Sequence, residues 1–214
     1  MSVSTLSQEI TRREQVRRGR ALEYLTIGWN SLEGAVAVAA GLMAGSAALV
    51  GFGLDSVIEV SSGAALLWRL HMDAPAKRER AERISLKVVG VSFLALAAYV
   101  AFDALKSLGT RETPEASYAG IAIASLSLVV MPLLARAKRR VAAKINSRAM
   151  QADSRQTDIC AYLSAILLGG LILNALFGWW WADPVAALLM TPIIGKEGVE
   201  ALRGETCCDG GACH

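Results

Sequence analysis

The sequence predicts an all-α protein, a six-helix transmembrane bundle with both termini cytoplasmic, and three observations lead there. Of 214 residues, 54% are hydrophobic and only 19% are charged. Mean hydropathy is +0.41, well to the apolar side of an ordinary soluble domain. The apolar residues gather into six runs near the ~20 residues a helix needs to cross a hydrocarbon core about 30 Å thick. The connections between the runs alternate between strongly basic and nearly uncharged, as expected of a multi-pass chain under the positive-inside rule.

Residues 1–20 read as a basic cytoplasmic segment carrying Arg12, Arg13, Arg17, Arg18 and Arg20, and 21–202 as the six-span domain. The first span, about 22–43, is long enough to be retained rather than trimmed as a leader. The Gly-rich turn GLMAGS leads into a second span at about 46–70. Within that turn Gly41 and Gly45 suit either a tight turn or close helix packing. Lys77, Arg78, Arg80 and Arg83 precede a third span at about 84–105, whereas only Lys106 and Arg111 lie between it and the fourth, 117–135. Arg136, Lys138, Arg139, Arg140, Lys144 and Arg148 then form a second basic connection before the fifth span, 151–176. The tryptophans of FGWWWAD suit an interfacial belt before the sixth span, 179–202. Pro132 and Pro192 fall inside spans four and six as kink candidates. A short Cys-rich tail, 203–214, completes the cytoplasmic side. The setting expected for such a chain is a bacterial inner (plasma) membrane.

Polar groups inside the runs carry the functional signal. An ionised carboxylate at mid-bilayer costs at least about 2.5–3.5 kcal/mol, so it faces the bundle interior or a wet cavity. The first span holds Asn30 and Glu33; the second holds Asp55, Ser56 and Glu59; the third holds Asp103 near its outer end. Asp55 and Glu59 stack at i and i+4. Two anions so placed repel unless a cation sits between them or one takes a proton. The pair therefore reads as a divalent-cation site coupled to protons, against the alternative of mere hydrogen bonding between helices. On the fifth span, Asp153, Gln156, Thr157 and Cys160 share a helical face, with Asp158 directed away from it. The net charge of +3 is too small to argue for nucleic acid. No nucleophile–base pair suggests an enzyme: His71 sits beside a basic connection and His214 lies in the tail.

These residues give the chain a resemblance to the cation diffusion facilitator family of divalent-metal/proton antiporters. Its second-helix pattern appears as Ser46, Ala48, Leu49, then Asp55 and Glu59. Its fifth-helix pattern appears as Ala152-Asp153, followed by Gly178, Trp179 to Trp181, Asp183-Pro184, Ala187 and Leu188. The resemblance implies a metal site at Asp55, Glu59, Gln156 and Cys160, where the last two stand in for the family's His and Asp. Asp153 or Glu33 would supply the missing charge. It also implies efflux, with zinc, cadmium, cobalt, iron or manganese as cargo. Cys160 favours the softer ions and oxygens alone suit iron or manganese. The chain resembles a short variant lacking the family's cytoplasmic C-terminal domain, which usually assists homodimer formation. Its tail instead offers Cys207, Cys208, Cys213 and His214 as donors for a soft metal. The expected partners are thus a divalent metal ion, protons, membrane lipid and a second copy of the chain. The competing reading is a non-transporting metal-binding or sensing membrane protein that works through the tail.

Overall fold

The computed structural model describes residues 3–71, 75–111, 114–145 and 148–203. Over these residues the backbone forms six α-helices: α1 (Val3–Ala44), α2 (Ala47–His71), α3 (Pro75–Thr110), α4 (Tyr118–Ile145), α5 (Arg148–Phe177) and α6 (Ala182–Arg203). The tail donors Cys207, Cys208, Cys213 and His214 lie outside the described residues, as do the side chains of Arg12, Arg13, His71, Lys77, Arg78, Arg80, Arg83 and Arg148.

Several helices overrun the apolar runs that foretold them. The first begins at Val3 and not near 22, the third at Pro75 and not near 84, and the fourth continues to Ile145 and not 135. Arg136 to Lys144, expected in a connecting loop, are therefore helical. Hydropathy reports the solvent around a helix, not the helix, and Ala, Arg, Lys and Glu propagate one well in water. The sixth helix starts later than expected, at Ala182, because Gly178 turns the chain at φ 64° and Trp179 to Trp181 follow it through the turn. Among the described residues, four helices are long and apolar enough to cross a membrane: Ala47–Trp68, Gly90–Thr110, Tyr118–Ile145 and Asp153–Phe177. α1 and α6 are less apolar because α1 buries Glu23, Thr26, Asn30 and Glu33, while α6 carries Asp183, Lys196, Glu197 and Glu200.

The helices form a closed ring in which α1 packs on α2 and α4, α3 on α2 and α6, and α5 on α4 and α6. α2 also reaches across to α5 and α6. Leu49, Phe52, Val100, Met131, Leu163, Leu167 and Met190 fill the centre of the apolar core. Leu25, Leu42, Phe102, Leu133 and Leu176 point outward as a lipid-facing surface. Since lipid is as apolar as the core, close packing rather than hydrophobicity must hold the bundle. A Cβ on Gly41 would meet the Val50 backbone nitrogen at 2.8 Å, and one on Gly53 would meet the Val38 nitrogen at 2.8 Å. Gly41 thus serves helix contact. Gly45, at φ 65°, makes the turn.

One end of the bundle is tied by polar contacts between connections. Asp183 of α6 accepts hydrogen bonds from Ser46 Oγ (2.5 Å) and the Ala48 backbone NH (3.5 Å), and Leu49 N donates to Ser46 Oγ at 3.1 Å. A carboxylate from a distant helix therefore caps the start of α2. Glu115 N donates to Ala44 O at 2.8 Å, and Asn174 Nδ2 to Pro114 O at 2.9 Å. These ties fix the rotation of α2, and with it the direction in which Asp55 and Glu59 point.

Candidate metal centre

The interior between α1, α2, α4 and α5 is a column of polar side chains. Their periodicity explains why they meet. On α1, Glu23, Thr26, Asn30 and Glu33 recur at three- and four-residue steps, so all four lie on one face, and all four are buried. On α5, Asp153, Thr157 and Cys160 follow the same rule and are buried, whereas Gln156 is half-buried at their edge. Asp55 and Glu59 of α2 are 5% and 2% exposed.

Glu33 is the hub of the middle layer. One oxygen accepts from Trp29 Nε1 at 2.6 Å and Ser127 Oγ at 2.6 Å; the other accepts from Ser56 Oγ at 2.8 Å and Cys160 Sγ at 3.7 Å. One carboxylate thereby collects a donor from each of α1, α4, α2 and α5. Such saturation is what a buried carboxylate requires if it is to stay without a counter-ion in contact.

A second layer lies below it. Thr157 Oγ1 donates to Glu59 Oε1 at 2.9 Å, and Lys138 Nζ stands 3.4 Å from the same hydroxyl. Lys138, on α4, has no solvent exposure and pairs with Asp153 Oδ2 at 2.5 Å and Glu23 Oε2 at 3.2 Å. Asp153, expected to lend its charge to a cation beside Gln156, is held by this lysine. Asp158 points out of the column and pairs with Arg139 at 2.8 Å.

Asp55 differs from both. It accepts no hydrogen bond from any described residue and faces the carboxylates of Glu59, Glu33 and, across on α6, the half-buried Glu197. Gln156 Nε2 and Glu59 Oε2 are buried without hydrogen-bond partners among the described residues. Asp55, Glu59 and Gln156 thus keep unspent donor or acceptor capacity, as does Asp153 Oδ1, although the other oxygen of Asp153 is taken by Lys138. Cys160 faces Glu33, Glu59 and Asp55, its sulfur engaged with the first. Among the described residues, no three His, Cys, Asp or Glu side chains converge closely enough to form a ready-made metal cluster.

Sequence reasoning missed Lys138, Glu23 and Ser127. The signal was there. Ser127, Met131, Ala135, Lys138 and Ala142 continue a single buried face of α4 past the end of the apolar run, and Glu23 begins the stripe that ends at Glu33. Counting Lys138 among loop cations hid its place on that face.

Residues 25–205 match the cation efflux transmembrane domain. The chain belongs to the cation efflux family. It is therefore a multi-pass integral membrane protein of a family defined by cation efflux and not by an enzymatic reaction. It is 26% identical over 182 residues to transmembrane protein 163 of Xenopus laevis, covering 85% of this chain and 65% of that protein. It is 32% identical over 78 residues to the cation-efflux pump FieF of Shewanella oneidensis, covering 36% and 26%. To the magnetosome protein MamB of Paramagnetospirillum magneticum it is 30% identical over 171 residues, covering 76% and 57%. The chain spans less than two thirds of the length of each of these relatives.

Proposed function

We propose that this chain carries a divalent metal cation out of the cytoplasm in exchange for protons, through six spans with both termini in the cytoplasm. The observation that carries the reading is the pair Asp55 and Glu59, stacked one turn apart and buried inside the bundle of a cation efflux family member. Two carboxylates in that position are tolerable with a doubly charged ion between them or with protons on them, and the two occupants exclude each other. An emptied, fully ionised pair is expensive to move through a bilayer, and this expense couples metal to protons.

Asp55 and Glu59 supply hard oxygens, Gln156 an amide carbonyl and Cys160 a soft sulfur. The sulfur argues for zinc, cadmium or cobalt over iron and manganese. Because no compact cluster stands ready among the described residues, the incoming ion draws Cys160 from Glu33 and assembles its own shell. Glu33 then remains anchored by Trp29, Ser56 and Ser127. Rocking of the bundle around this interior site would expose it to either side in turn. The similarity to the cation-efflux pump FieF of Shewanella oneidensis supports the direction.

Proteoliposomes loaded with a metal-responsive dye test the reading. Asp55→Asn and Glu59→Gln are each expected to reduce zinc flux by more than about 10–100-fold, the loss that even an outer-shell partner of a metal produces. Unchanged flux with unchanged pH dependence in both variants would overturn it.

A further inference from the structure

Asn30 has no solvent exposure, yet its Oδ1 and its Nδ2 are both buried without a hydrogen-bond partner among the described residues. No other described side chain has both its donor and its acceptor so placed. A buried amide that meets no partner is costly, and an apolar side chain of the same shape would avoid that cost. The helix contacts fix what it faces. A Cβ on Gly34 would lie 3.4 Å from Ser56 Cβ, and one on Gly63 would lie 3.1 Å from Ile27 Cγ1. That register of the antiparallel helices α1 and α2 sets Asn30 opposite Glu59 and Val60. Its face is set by Glu33, three residues on, which reaches Ser56, Ser127 and Cys160, and by Glu23, seven back, which reaches Lys138. Asn30 therefore enters the polar column in the layer where Glu59 meets Thr157 of α5, beside Gln156. In this layer Glu59 Oε2 and Gln156 Nε2 are likewise buried without partners among the described residues.

We infer that Asn30 is a further ligand of the transported ion, its Oδ1 supplying a neutral oxygen from α1 to the shell begun by Asp55 and Glu59. The inference rests on the transport reading above and deepens it. Asp55 and Glu59 together match the 2+ charge of the ion. A further carboxylate would add negative charge along with its oxygen, whereas an amide carbonyl adds the oxygen alone. The described His, Cys, Asp and Glu side chains form no three-donor cluster, and a neutral oxygen helps fill the shell they leave incomplete. With Asn30 the ion draws donors from α1 as well as from α2 and α5. Asn30 also determines specificity, because its hard oxygen offsets the soft sulfur of Cys160. An amide kept only for packing would affect neither affinity nor the order of preference among metals.

Calorimetric titration of the purified chain in detergent, with zinc, cadmium and manganese as probes, tests the inference alongside thermal melting. Asn30→Leu keeps the shape and removes the oxygen. Its zinc affinity is expected to fall by about tenfold or more, the scale on which even outer-shell partners act. Manganese is expected to lose more than zinc, and cadmium less. The melting temperature is expected to hold or rise, because no unpartnered amide is left buried. Asn30→Asp keeps an oxygen in the same place and is expected to hold zinc more tightly than Asn30→Leu does. If Asn30→Leu binds all three metals as the unaltered protein does, the inference is overturned. It is also overturned if the three affinities fall by the same factor, or if they fall with the melting temperature and Asn30→Asp fails to restore zinc binding. If the unaltered protein binds none of the three metals, the transport reading itself fails, an outcome distinct from any result with the variants.

Discussion

At the residue scale the interior divides its carboxylates by how many donors each one meets. Glu33 meets four, Glu59 meets Thr157, and Asp55 meets none among the described residues. A saturated carboxylate holds helices together and an unsaturated one is left to bind a cation, so in the transport reading proposed above Glu33 positions the helices and Asp55 and Glu59 take the ion. Glu33→Ala deprives Ser127 and Trp29 of their acceptor, while Ser56 keeps its bond to Phe52 O at 3.2 Å. The expected cost is about 1–3 kcal/mol of stability, read as a lowered melting temperature in detergent and a shift in tryptophan emission. An unchanged melting temperature would assign Glu33 to the ligand set instead. The spacing of Asp55 and Glu59 was legible in the sequence, as was the face shared by Asp153, Thr157 and Cys160. Their division of labour was not, because it depends on Ser127 and Lys138, hydrogen-bond partners on a different helix.

At the element scale α2 is the part that matters most, and what aims it lies at its N-terminus. Asp183 reaches Ser46 and the Ala48 backbone NH from the start of α6. The Ser46 and Asp183-Pro184 features that mark the family resemblance therefore have a joint structural role outside the metal site. Asp183→Ala is expected to cost about 0.5–2 kcal/mol, the usual value of a helix cap, measured by thermal denaturation. The number of zinc ions bound per chain should not change. A variant that loses zinc while melting normally would place Asp183 on the ion path. Helix boundaries show the limit of hydropathy at this scale: α4 runs ten residues beyond its apolar stretch, to Ile145, and those residues include Lys138.

For the whole molecule, charge balance links the cargo to the driving force. In the exchange proposed above zinc binds to deprotonated Asp55 and Glu59, so its affinity is expected to rise with pH on whichever side the site faces. Each proton exchanged down a one-unit pH gradient supplies about 1.4 kcal/mol, which sustains about a tenfold metal gradient. Clamping the pH difference across proteoliposomes and reading the zinc gradient at which net flux stops therefore counts the protons per metal. A stopping gradient independent of pH would rule out antiport.

The sequence by itself determined that helices cross a membrane, that basic residues cluster between particular spans, and that Asp55 and Glu59 share a face. Each of these depends on local periodicity or on the cost of burying charge, which a single segment reveals. Only the tertiary structure decided which groups those acids meet: four donors from four helices on Glu33, Thr157 on Glu59, and Lys138 turned inward to Glu23 and Asp153. Those partnerships join residues up to 127 positions apart, as Cys160 and Glu33 are. Hydropathy assigns a buried lysine and a loop lysine the same value, and only the packing of α4 against α1 and α5 distinguishes them.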